Sequence, residues 1–178
     1  VHQKGLDHLI EAFAGLADLS EFTLPESNRS ESTDSWSLTL VGDGPERVAL
    51  EALADQCAVR HRIRFLGHCH DVRSELAAAA VFVLPSRKEG VPNALLEAMA
   101  AGLAVIVNDA SPGPLEFVTH DQNGLVVSHD DAAALARAML RLQKDPQLRT
   151  RLGLAAQERL KTQDWPVLEP IWKAALAL

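Results

Sequence analysis

Cysteine is scarce: Cys57 and Cys69 are the only two. That excludes a disulfide framework and makes a reduced, cytoplasmic setting the expectation. Basic charge is also short, with 17 Lys and Arg against 24 Asp and Glu and a formal net charge of -7. No Lys/Arg stripe offsets that balance, so nucleic acid is excluded as a partner on electrostatic grounds. Long apolar runs are missing too. The longest, "LAAAAVFVL" at 76–84, is nine residues, where a bilayer span needs roughly 20. It reads as a helix end followed by a buried strand. No internal repeat is visible, and the first residues carry no signal-peptide pattern. The chain opens on Val1 and enters a helix almost at once, which reads as a piece cut from something longer.

What is present suffices for one core. At 178 residues, 47% hydrophobic and 23% charged, the balance is that of a single folded domain. Helical spacing puts Leu6, Leu9, Ile10, Phe13, Leu16 and Ala17 on one face over 6–19. The polar stretch "PESNRSESTDS" (25–35) has no periodicity, so 20–36 is expected to be a mobile surface loop. Short apolar strands then alternate with amphipathic helices. Strands are expected at 36–42, 63–67, 81–86, 103–108 and 124–127. Between them fall helices at 45–58, at 72–80 with Asp71 as N-cap, at 92–102 closed by Gly102, and at 113–120. Three helices (131–145, 146–163 and 166–178) end the chain.

Such alternation predicts an α/β fold, a Rossmann-like doubly wound parallel sheet with helices on both faces. Ligands in these sheets bind outside the carboxyl ends of the strands. The turns at 42–45, 67–71 and 85–92 all fall there.

One of those turns carries chemistry. In "EGVPNALLE" (89–97), Pro92 fits the first helical position and Gly90 leaves the backbone open to a ligand. Amides near Val91 and Asn93, with the helix dipole, favour an anionic or hydroxyl acceptor. Glu97 shares a helix face with Asn93 and points back toward the helix start, while Glu89 lies in the loop. Two carboxylates around an amide-lined notch suit a polyol such as a sugar or ribose. The competing reading, two solvated surface charges, is weakened by the nearly all-apolar helix around Glu97. Arg87 and Lys88, just ahead, could meet phosphate, although a solvated charge pair is the simpler reading. "HCHD" at 68–71 has two histidines but no third ligand at a recognised spacing, so no metal is expected.

At these residues the sequence resembles a known family. "EGVPNALLE" followed by "AMAAG" is similar to the E-x7-E signature of retaining glycosyltransferases of family 4, which have the GT-B fold. "KGLDHLIEAF" (4–13), "LTLVGDGP" (38–45), "IRFLG" (63–67) and "NGLVV" (123–127) match further landmarks in the expected order. The resemblance covers the chain apart from the 20–36 loop. The wording of "GVPNALLEAMA" and "SPGPLEF" looks most like members that build bacterial exopolysaccharide or lipopolysaccharide.

The resemblance implies a nucleotide-sugar donor domain, the C-terminal half of a GT-B enzyme, over 1–178. The first strand, an arginine just before Val1 and the acceptor-binding N-terminal domain would be missing. The donor would be a UDP-sugar or GDP-sugar carrying a hexose or N-acetylhexosamine. Lys4 is then expected on the diphosphate, Glu97 on the ribose, and Glu89 at the donor sugar, with the amides of Gly90, Val91 and Asn93 nearby. Leu66, Gly67 and His68 would flank the base, and Gly42 and Gly44 would border the phosphate side. Glu89 and Lys4 are the expected catalytic residues. Transfer would retain anomeric configuration, by double displacement through Glu89 or by front-face attack; both stay open. No cofactor or metal is implied. The acceptor, a saccharide or lipid-linked saccharide, would reach the site through the missing domain, peripheral at the inner face of the membrane. The fragment alone is expected to bind donor weakly and not to turn over. Gly113 and Glu116 either line the cleft or merely start a helix. The apolar stripe from Trp165 to Leu176 would drive a homodimer or pack on its own domain. Two other classes stay open: an epimerase-like GT-B enzyme and a non-catalytic nucleotide-sugar-binding subunit.

Overall fold

In this computed structural model the described residues are 2–22 and 36–161. The first helix, α1 (Leu6–Phe22), buries Leu9, Ile10, Ala12, Phe13 and Leu16 at the three-to-four spacing of one helical face. It runs to Phe22, so the start of the expected loop is helix instead. Residues 23–35, and the expected last helix with its apolar stripe, lie outside the described residues.

The alternation expected from the sequence is present, with several elements shorter than expected and the strand at 63–67 as expected. In order come β1 (Leu38–Val41), α2 (Arg47–Gln56), β2 (Ile63–Gly67), α3 (Arg73–Ala78), β3 (Val81–Leu84), α4 (Asn93–Ala100), β4 (Ala104–Asn108), α5 (Pro112–Leu115), β5 (Leu125–Val127), α6 (Ala132–Lys144) and α7 (Pro146–Lys161). All strand pairs are parallel.

β4 lies between β3 and β5, and all five of its residues are buried. The period-two alternation of a strand sends its side chains to opposite faces. Ala104 and Ile106 join a core built with α1, α6 and Leu125, while Val105 and Val107 join a second core with Leu95, Ala98 and Met99 of α4. Helices therefore cover both faces, which is why "AVIVN" is apolar without a break. Burying a side chain such as Ile106 completely stabilises the fold by roughly 1.5–3 kcal/mol.

Strand pairing adds a detail to the expected fold. The strands form two sheets, β1–β2 and β3–β4–β5, and no ladder joins them among the described residues. The core is continuous where the ladder is not: Leu40 and Ile63 pack in the same cluster as Ile106 and Leu125.

Helix ends follow local chemistry. Gly102 (φ 76°) closes α4 in the left-handed conformation, with Leu103 N–H donating to Ala98 O at 3.1 Å. Asp131 caps α6 by accepting from Ala134 N–H at 2.7 Å. Asp71 accepts from Arg73 N–H at 3.0 Å, although Val72 is the boundary residue of α3. The helix expected at 113–120 stops at Leu115, because the Asn123 side chain takes over the following turn. Its Oδ1 accepts from Thr119 N–H and its Nδ2 donates to Phe117 O, each at 2.7 Å. Pro92 is the N-cap of α4, one residue before the position expected for it, and its carbonyl accepts from Leu95 N–H at 2.9 Å.

Candidate functional site

The site is built where the carboxyl ends of β3 and β4 meet the start of α1. Lys4 ends a short 3-10 turn (His2–Lys4), and Gly5 follows with φ 63°. A Cβ on Gly5 would lie 2.1 Å from Pro85 O, so only glycine lets the chain pass this close to the end of β3. That passage sets Lys4 beside the next loop, where its Nζ donates to Glu89 Oε1 at 2.6 Å, 85 residues away in sequence. The two sides of the pair differ. Glu89 is 12% exposed, whereas Lys4 is 60% exposed and can turn a further N–H outward.

Glu89 is held from behind as well. Its N–H donates to Ser111 Oγ at 3.1 Å, and Gly113 packs so tightly that a Cβ there would sit 2.0 Å from Gly90 O. Buried Asn108 ties the ends of β3 and β4 together, donating from Nδ2 to Pro85 O at 2.8 Å. Ser86 Oγ, buried at the start of the loop, has no partner among the described residues. Of the amides expected to be available, Asn93 N–H is engaged by Val91 O at 3.1 Å, which removes it. The N–H groups of Gly90 and Val91 have no partner among the described residues.

Arg87 is not the solvated charge its neighbours in sequence suggest. Its Nη1 and Nη2 each donate to an Asp7 carboxylate oxygen at 3.0 Å, and Nη2 also lies 3.0 Å from His8 Nε2. A guanidinium only donates, so His8 Nε2 is the acceptor. Burial works to raise the Asp7 carboxyl, but the Arg87 hydrogen bond and charge, with a backbone hydrogen bond from His8, outweigh it and hold the group below the ordinary carboxylate value. The same bond to Asp7 raises Arg87. The chain of charges continues across the sheet end, with His129 3.1 Å from Asp109 and 3.1 Å from Asp130. The His129 hydrogen bond holds Asp109 below its ordinary value. Sequence reasoning missed Asp7, Asn108 and Ser111, and read Arg87 as solvated. The available signal was their position, each within three residues of a landmark on a converging loop.

A second group forms at the carboxyl ends of β1 and β2. Gly42 N–H donates to Gly67 O at 2.8 Å, and Asp43 Oδ1 accepts from Gly44 N–H at 2.8 Å. Arg47, at the start of α2, donates to Phe65 O of β2 and to Glu51. Leu66 is half-buried and His68 exposed, its ring in edge contact with that of His70 at 4.8 Å. Among the described residues no group of three or more His, Cys, Asp or Glu side chains is placed to hold a metal. Glu97 stands exposed on α4, and Glu116 is exposed with its carbonyl accepting from Arg159. Gly113 is thus a packing residue of the loop, buried against its backbone.

An α/β domain with parallel strands, both faces covered, and a Lys–Glu pair at the strand carboxyl ends is a Rossmann-like domain of the kind that binds ligands at that edge. The particular family follows from sequence: the chain belongs to the glycosyl transferases group 1, whose family model matches residues 1–159. It is 39% identical over 163 residues to the lipopolysaccharide core biosynthesis glycosyltransferase LpsE of Rhizobium meliloti (strain 1021), covering 92% of this chain and 43% of LpsE. Among solved structures, Anabaena Alr3699/HepE in complex with UDP superposes with a TM-score of 0.81 at 23% identity, covering 100% of this chain and 46% of that one. The C-terminal domain of a glycosyl transferase group 1 family protein, LpcC, from Francisella tularensis superposes with a TM-score of 0.74 at 25% identity, covering 92% of this chain and 80% of that domain. The fold is that of GT-B glycosyltransferases. The chain spans less than half the length of curated relatives it matches. No helix among the described residues is long and apolar enough to cross a membrane.

Proposed function

We propose that this chain is the donor-binding domain of a retaining glycosyltransferase of bacterial surface polysaccharide or lipopolysaccharide synthesis. Its donor is a UDP- or GDP-linked hexose or N-acetylhexosamine. The observation that carries this reading is the Lys4–Glu89 pair, fixed at the carboxyl ends of parallel strands beside the N-terminus of α4.

An ammonium has three donors, so Lys4 keeps Glu89 and still reaches an anion in front of it. As the glycosidic bond to the donor breaks, negative charge grows on the leaving diphosphate. Lys4 and the N–H groups of Gly90 and Val91 stabilise that charge in place, with no reorganisation at the moment of reaction. Glu89, mostly buried and held through its own N–H by Ser111, faces the sugar, and Glu97 takes the ribose hydroxyls. The joined turns at Gly42–Gly44 and Leu66–His68 border the phosphate and base. Retention proceeds either through Glu89 as nucleophile or by front-face attack. The acceptor, a saccharide or lipid-linked saccharide, arrives through a further domain, and an arginine upstream of Val1 completes the diphosphate site. The UDP complex of the structurally similar HepE and the function named for LpsE support this reading.

Calorimetric titration of the full-length protein with UDP, GDP and their hexose conjugates tests it, alongside Lys4→Ala and Glu97→Ala. Selective binding of one nucleotide, weakened tenfold or more by each substitution, is expected. Absence of binding, or binding unchanged by both substitutions, overturns the reading.

A further inference from the structure

Resting on that donor-site reading, we propose that Arg87 is a positioning residue: clamped to Asp7, it fixes the separation of Lys4 and Glu89. The seam between the start of α1 and the loop after β3 is stitched on both sides of the Lys4–Glu89 contact. On one side Arg87 N–H donates to Gln3 O at 2.8 Å, and Gln3 Nε2 reaches Lys88 O at 3.4 Å. On the other, the Arg87 guanidinium grips both oxygens of Asp7. Lys4 therefore sits between Gln3 and Asp7, and each of these neighbours bonds to the residues directly before Glu89.

Position and chemistry both argue against Arg87 as a phosphate ligand. Its fork is spent on Asp7 and His8, and the Asp7 charge neutralises it. An ordinary exposed ion pair would hold little geometry. This one is about three-quarters buried on each side (side chains 24% and 27% exposed) and two-pronged, so it fixes angle as well as distance. Lys4, by contrast, has a flexible stem that needs a neighbour to aim it.

A double-mutant cycle on the full-length protein tests this, reading UDP and GDP affinity by calorimetry. Arg87→Ala is expected to weaken the nucleotide that binds by about tenfold in the parent, but less than about twofold when Lys4→Ala is already present, since Arg87 acts through Lys4. Arg87→Lys keeps the charge but loses the fork, and is expected to behave like Arg87→Ala. Equal losses in both backgrounds, or parent-like affinity of Arg87→Lys, overturn the proposal. If Arg87→Ala does not fold, Asp7→Asn enters the same cycle. Amide exchange in the ligand-free protein supplies a second readout. The N–H groups of residues 87 and 89 are expected to exchange about tenfold faster in Arg87→Lys, with α6 and α7 unchanged. Should the parent bind neither nucleotide, the donor-site reading fails, and unchanged exchange at 87 and 89 overturns the positioning role separately.

Discussion

Gly113 and Gly153 make near-identical close approaches, and of this pair Gly113 alone touches the site. A Cβ on Gly113 would lie 2.0 Å from Gly90 O and 3.1 Å from Glu89 O. A Cβ on Gly153, in α7, would lie 2.1 Å from Gly102 O and 3.3 Å from Ala104 N. All of these atoms are backbone, so no side chain can swing aside. Carbon–oxygen contacts settle at about 3.3–3.6 Å, so each Gly→Ala change must push two backbone segments apart by roughly an ångström or more. Overpacking of this kind costs about 1–3 kcal/mol. For Gly153 the better helix propensity of alanine returns about 0.8–1 kcal/mol, so a smaller net loss is expected there. Thermal unfolding checks both, at about 2–4 °C per kcal/mol for a chain of this size. The decisive readout is nucleotide binding. Gly113→Ala displaces the loop that carries Glu89 and is expected to weaken UDP or GDP binding about tenfold. Gly153→Ala, packed on the far turn of α4, is expected to leave affinity within about twofold once the protein is folded. Equal affinities for the two variants would refute the idea that the Gly113–Gly90 contact sets the Glu89 loop. An unshifted melting temperature in Gly113→Ala would refute the close packing itself.

Two further outcomes follow from the charges. The Asp7 carboxyl is depressed in the folded state, so its pairing stabilises fully above the unfolded value of about 3.9 and is lost as pH falls through the folded value. The gap in unfolding free energy between the parent and Asp7→Asn, read from urea titrations and about 1 kcal/mol for a part-exposed pair, should stay flat from pH 5 to 8 and shrink below about pH 4; a gap unchanged at pH 3 refutes the assignment. Asp131→Ala removes the α6 cap and should cost about 1 kcal/mol by the same unfolding measurement, with nucleotide affinity unchanged.

Much of this molecule is written in local sequence. The spacing of Leu9, Ile10, Phe13 and Leu16 determines the buried face of α1, and "AVIVN" announces a strand covered on both sides, because helical and strand periods are properties of adjacent residues. Gly102 marks the end of α4 for the same reason, since a left-handed residue is a local demand. "KG" and "EGVPNALLE" mark the two loops of the site. Tertiary structure alone decided that Lys4 meets Glu89, that Arg87 is paired rather than solvated, that Gly113 is a packing residue, and that the strands fall into two sheets. A charged side chain reads the same in sequence whether water or a carboxylate surrounds it. Which of the two it meets depends on loops some 80 residues apart converging at one end of a sheet, and no local pattern encodes that distance.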